Sequence, residues 1–223
     1  IKKIQASNAG ASDYLGYGGV GIHDGTIITS SPNEDTKASD AGAAYIYGSQ
    51  KVTNYYITDT GKYSVDATIA GLNYKTNEVE VTGSITPVKS WKENETQILY
   101  ASDASTNANF ASYVSLSGDY AIVGAQYGPT NKGAAYIYTR NTSTGIWGNE
   151  QTLTASDGAT SDLFGNRVSL SGDYAIVGAF NKNSGTGAVY IYKRDASSGV
   201  WGSEQKILSS DIQASDNFGQ SVS

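Results

Sequence analysis

His23, the only histidine of the chain, stands before Asp24 in the stretch GIHDG. A histidine beside a carboxylate is the smallest unit of a general base with its orienting partner. The same stretch also has the composition of a tight turn, because other copies of a repeat carry Gly118 and Gly172 there. The turn is the better reading. The carboxylates are the second possibility. Asp103, Asp157 and Asp211 recur at one repeat position, and Asp13, Asp162 and Asp216 at another.

Recurring carboxylates can ring a divalent cation, and Ca²⁺ takes six to eight oxygens. Asp157 and Asp162, which bracket Gly-Ala-Thr-Ser, are the first metal candidates. Asp35 and Asp40, in the loop Asn33–Asp40, are the second. The competing reading is that these aspartates cap turns by accepting backbone N–H bonds, or are solvated on a loop. The expectation is no bound metal and no cofactor, with Ca²⁺ the one ion worth considering.

No other chemistry has its residues. Cysteine is absent, which removes disulfides, thiol nucleophiles and thiolate metal sites. GYGGVG at Gly16–Gly21 has no helix after it, so it is not a nucleotide loop. The paired tyrosines of Tyr-Ile-Tyr and the tryptophans Trp147 and Trp201 could stack on a sugar. Their identical recurrence in each repeat is better explained by packing between repeats. Two sequons place Asn94 and Asn141 as glycosylation candidates.

Composition narrows the partners. The net charge is −6 over 223 residues, and the 15 Lys and Arg form no cluster, so no nucleic acid is expected. No apolar run reaches the length of a membrane span. With 26 Gly, 17 Tyr and abundant Ser, Thr and Asn, the chain suits short strands and tight turns rather than helices.

The elements that must position these residues are repeats. VSLSGDYAIVGA occurs twice, as Val114–Ala125 and Val168–Ala179, 54 positions apart. The same frame carries GAAYIY (Gly133–Tyr138) onto GAVYIY (Gly187–Tyr192), and GIWGNEQTL onto GVWGSEQKI. An earlier, degenerate copy has Leu15-Gly16 for Phe164-Gly165, GAAYIY at Gly42–Tyr47, and Trp91. Each unit reads as four short antiparallel strands. The first two flank a hairpin at Ser171-Gly172-Asp173, and the third puts Ala188, Tyr190 and Tyr192 on one face and Val189 and Ile191 on the other. That is the content of one β-propeller blade.

The stretch LFGNRVSLSGDYAIVGA followed by GAVYIYKR resembles the FG-GAP repeat, the blade motif of integrin α-subunit-type β-propellers. Phe164-Gly165 and Phe218-Gly219 match its Phe-Gly, and Gly124-Ala125 and Gly178-Ala179 its Gly-Ala. The resemblance implies an all-β chain of consecutive propeller blades and an extracellular or cell-surface setting. Calcium-binding members carry an Asp-rich loop between those two dipeptides. Here the position holds only a tight turn with Asp119 or Asp173, so the family's calcium sites are not carried over.

The expected organisation is a degenerate first blade over 1–48, a β-rich insert over 49–90, and the last strand of that blade with its loop over 91–109. A second blade spans 110–163, a third 164–217, and a further one begins at 218–223. Its phase suggests a segment of a longer repeat protein. The expected function is a non-enzymatic structural, adhesive or assembly role, with other copies of itself, surface proteins or glycans as partners. The alternatives are a ligand-binding propeller reading through the loops Asn33–Asp40 and Gly128–Lys132, and an accessory propeller of an enzyme.

Overall fold

The computed structural model describes residues 7–8, 15–16, 18–23, 25–33, 41–50, 67–69, 72–75, 78–81, 85–87, 90–91, 95–128, 130–211 and 213–223. The first unit opens with β1 (Val20–His23), β2 (Thr26–Ser31) and β3 (Ala43–Gln50), paired antiparallel in that order. Within the expected insert, β4 (Ala67–Ile69) pairs with β7 (Ile85–Pro87), and β5 (Leu72–Lys75) with β6 (Glu78–Val81). The candidate strand at 55–59 lies outside the described residues. Two pieces then complete the first sheet against β3: β8 (Ser90–Trp91) on Ser49 and Gln50, and β9 (Gln97–Leu99) on Ala44–Ile46.

The next two sheets are regular. β10 (Phe110–Ser117), β11 (Tyr120–Ala125), β12 (Ala134–Arg140) and β13 (Trp147–Leu153) form one four-stranded antiparallel meander. β14 (Arg167–Ser171), β15 (Tyr174–Ala179), β16 (Ala188–Arg194) and β17 (Trp201–Ile207) form the other. In both, a two-residue loop joins the first two strands. Ser171 faces Tyr174 across Gly172 and Asp173, and Gly172 takes the positive φ of 55° that such a turn requires. One five-stranded and two four-stranded antiparallel sheets are consistent with propeller blades, and they are called blades below. The described residues do not close a ring.

Alternation along each strand gives each blade two apolar faces. On β11 and β12, Ala121, Val123, Tyr136 and Tyr138 turn toward the first blade, packing with Ile28, Ala44 and Ile46. The intervening Ile122, Ala135 and Ile137 turn toward the third, packing with Val168, Val177 and Tyr190. The period-2 pattern thus encodes two interfaces rather than one core and one wet face. That is why the side chains of β12 from Ala134 to Tyr138 are all buried.

Phe110 and Phe164 seal these two cores. Phe164 packs edge-on against Tyr190 and Tyr192 of its own blade, with ring centroids 5.3 and 6.3 Å away. Phe110 makes the same pair of contacts with Tyr136 and Tyr138 at 5.4 and 6.4 Å. Such contacts add about 0.5–1.5 kcal/mol each beyond the area they bury.

Candidate functional site

The surfaces with the most repeated chemistry are the junctions between blades. The peptide preceding each Phe-Gly strand lies against the loop and strand of the blade before it. Gly133 bridges to Phe164 and Gly187 to Phe218, in parallel fashion. The Gly-Ala dipeptide is the receiving half of this contact. A Cβ on Gly124 would stand 2.0 Å from the carbonyl oxygen of Gly165, and one on Gly178 would stand 2.1 Å from that of Gly219. Glycine is required there by the closeness of two backbones rather than by its dihedral freedom.

Outer strands are joined by a glutamine. Gln97 Nε2 donates to the carbonyl of Trp147 at 2.6 Å, while the Trp147 N–H donates to Gln97 Oε1 at 2.8 Å. Gln151 repeats both bonds with Trp201, at 2.5 and 2.9 Å. A primary amide carries a donor and an acceptor side by side, which is what an edge-strand peptide presents. A serine–glutamate grip recurs as well. Ser102 Oγ and N–H bind Glu150 at 2.5 and 3.0 Å, and Ser156 binds Glu204 at 2.7 and 2.9 Å.

The tyrosines hold the linkers with their hydroxyls. Tyr138 donates to the Tyr100 carbonyl at 3.0 Å and Glu150 at 2.8 Å; Tyr192 contacts the Thr154 carbonyl at 2.9 Å and Glu204 at 3.1 Å. Burial first, and the adjacent carboxylates second, push the phenols of Tyr136, Tyr138, Tyr190 and Tyr192 far above their ordinary range. Trp147 and Trp201 are each 3% exposed, so neither offers a stacking platform for sugar. Trp201 instead meets Tyr120 of the preceding blade edge-on at 5.6 Å.

The candidate carboxylates fall into different roles. Asp157 and Asp162 do converge, and what lies between them is the ammonium of Lys182. Its Nζ is 2.7 Å from Asp162 Oδ2, 2.7 Å from the Asp157 carbonyl and 3.4 Å from Asp157 Oδ1. Asp157 also accepts from Tyr190 at 2.7 Å and pairs with Lys206 at 2.7 Å. Burial works to raise the pKa of Asp157, but the Lys206 and Tyr190 bonds and the charge of Lys182 outweigh it and lower it to about 2.

Asp103 accepts from the hydroxyl of Tyr136 at 2.7 Å. Asp162 and Asp216 accept the N–H of Ala159 and Gln213, at 2.7 and 2.6 Å, which is the turn-closing role. Asp211 accepts from Ser209 Oγ. The hairpin aspartates Asp119 and Asp173 pair with Arg140 and Arg194 at 2.6 and 2.5 Å. Among the described residues, no group of three or more His, Cys, Asp or Glu could hold a metal ion.

His23 ends β1, is exposed, and faces Thr26; Asp24 lies outside the described residues, as do Asp13, Asp35, Asp40 and Asn94. Asn141 is exposed in a turn where its Oδ1 accepts the N–H of Ser143 and Thr144, both at 2.9 Å. Lys182 and the Gln97/Gln151 bonds were not singled out from the sequence. The recurrence of Gln in the fourth strand of each unit was the available signal for the latter. No helix of the described residues is long and apolar enough to cross a membrane.

Strands paired within blades, blades joined face to face, and dipeptides that interlock at each junction are consistent with an integrin-like repeat domain. The FG-GAP repeat family model matches residues 1–47, 94–138 and 147–192, and the chain belongs to that family. Repeats of this family are typical of extracellular and surface proteins. No curated protein is significantly similar to the chain.

Proposed function

We propose that the chain is a non-enzymatic structural module of the extracellular surface, whose blades form the interface through which it joins other blade-bearing proteins, including further copies of itself. The observation that supports this reading is the repeated junction between blades, in which Gln97 and Gln151 each bind the peptide of the next blade's tryptophan and Gly124 meets the Gly165 carbonyl. Ile176, Ile191 and Ile207 occupy the places where Ile122, Ile137 and Leu153 are buried under the next blade, yet they are half-exposed. Tyr174, the counterpart of the half-buried Tyr120, is 52% exposed, and the side chain of Gln205 is exposed where Gln97 and Gln151 bind a tryptophan backbone.

The partner this reading calls for is a blade with a Tyr-x-Tyr third strand and a tryptophan opening its fourth. On this reading no metal, cofactor or nucleic acid takes part, and glycans enter through Asn141 rather than as ligands.

Sedimentation of the purified chain across a range of concentrations tests it. Association that Ile191→Glu abolishes, with the fold intact by circular dichroism, is the expected result. A chain that stays monomeric at every concentration, alone and mixed with a separately produced blade pair of its own sequence, overturns the reading.

A further inference from the structure

Lys182 is 4% exposed and Asp162 5%, an unusual degree of burial for a lysine and an aspartate. The lysine stands at the start of the short turn Lys182–Gly185, in which Asn183 and Ser184 both take left-handed φ values of 50° and 60°. That turn leans on the linker leading into the third blade. Asn181 Nδ2 donates to the Ser161 carbonyl at 2.8 Å, and the Lys182 carbonyl is closed by Thr186 Oγ1 and the Gly187 N–H, both at 3.0 Å. The ammonium therefore enters a cage whose walls are the Asp157 carbonyl, the Asp157 carboxylate and the Asp162 carboxylate.

The chain carries its own control. At the equivalent positions of the preceding repeat stand Gly128 for Lys182 and Ala108 for Asp162, both buried, while Asp103 keeps the place and tyrosine bond of Asp157. Of these two repeats, one has both the buried cation and the carboxylate facing it, and the other has neither. Losing one alone leaves an uncompensated buried charge, which is far costlier than lacking both.

We infer that the Asp157–Asp162 loop is a binding site for a primary ammonium, filled in this protein by Lys182 from the same chain, which fastens the inter-blade linker as a bound ion would. The site selects for three donors on a compact positive charge. An ammonium supplies these and a guanidinium or a neutral amide does not. This inference does not depend on the assembly role proposed above.

The test is chemical rescue in the full chain. Lys182→Ala lowers the thermal midpoint, and millimolar propylammonium chloride restores part of the loss while sodium chloride at the same ionic strength does not. The double variant Lys182→Gly with Asp162→Ala, which copies the preceding repeat, melts higher than Lys182→Ala and ignores propylammonium. An equal response to the two salts, or a Lys182→Ala midpoint equal to that of the wild type, overturns the inference. Should Lys182→Ala fail to fold, amine acylation of the wild type decides. Lys182 labels more than an order of magnitude more slowly than the exposed Lys193 if the cage holds it, and equally fast labelling overturns the inference.

Discussion

The α-carbon of Gly124 and the carbonyl of Gly165 approach so closely that a single methyl on Gly124 would lie 2.0 Å from the oxygen. The two residues belong to the two dipeptides by which the repeat is recognised, one in each of two successive blades. Phe-Gly and Gly-Ala are thus the two sides of one contact. Gly124→Ala is expected to destabilise the chain by about 3 kcal/mol, the upper end for overpacking, because backbone rather than a pliable side chain must give way. Gly148→Ala, where a Cβ would meet nothing within 4 Å, is the control and shifts stability by less than about 0.5 kcal/mol. Urea denaturation of the two variants measures both; equal midpoints would sink the explanation.

Gln151 and Gln205 are the same residue of the repeat in different surroundings. Gln151 bonds both polar groups of the Trp201 peptide, whereas the side chain of Gln205 is exposed. Gln151→Ala leaves a part-buried N–H and C=O unmet and is expected to cost about 2 kcal/mol. Gln205→Ala in the isolated chain is expected to change stability by less than about 0.5 kcal/mol. If the two substitutions prove equally damaging, the glutamine works within its own strand and not between blades.

Local periodicity made much of this legible. The hairpin at Gly172-Asp173 and the two faces of Ala188–Tyr192 follow from a two-residue alternation and one glycine, signals that lie within a few positions of one another. The model of one family matches three segments of the chain, 1–47, 94–138 and 147–192. What escaped was side-chain pairing across sequence distance. Asp157 and Asp162 look like metal ligands when only their mutual spacing is read, because the lysine between them comes from the following β-loop and has no pattern to announce it. The division of the first blade's fourth strand into β8 and β9 was likewise hidden, since both pieces pair with β3 through register alone.

Alkaline stability follows from the tyrosines. Burial, with the charge of Glu95 adding to it, pushes Tyr47 up to about 12, and the phenols of Tyr136, Tyr138, Tyr190 and Tyr192 are raised further still. A group whose pKa is raised on folding lends stability that is complete below its unfolded value of about 10 and is lost as pH climbs through the folded one. Each tyrosine that must stay protonated removes up to about 1.4 kcal/mol per pH unit above that point. The chain is therefore expected to unfold cooperatively above about pH 10, with phenolate absorbance and circular dichroism changing together. Phenolate formation in these tyrosines near their ordinary value, with the fold retained, would contradict the burial on which the junctions depend.

Acid acts at Asp157 with the opposite sign. Its pKa falls on folding from 3.8 to about 2, because the Lys206 and Tyr190 bonds and the Lys182 charge outweigh the effect of burial. A lowered value contributes stability that is fully present above the unfolded pKa and disappears as pH falls through the folded one. The window therefore runs from about pH 4 down to about pH 2. Asp157→Asn keeps the shape and the tyrosine bond but carries no charge to lose. Its thermal midpoint is expected to lie below that of the wild type at neutral pH, and the gap to narrow across this window. The side chain is 44% exposed, so water and salt screen the effect, and raising the ionic strength reduces the gap at neutral pH. A gap that stays constant from pH 6 to pH 2 would mean that the carboxylate holds the linker through hydrogen bonds alone. In that case its charge would contribute nothing to the cage around Lys182.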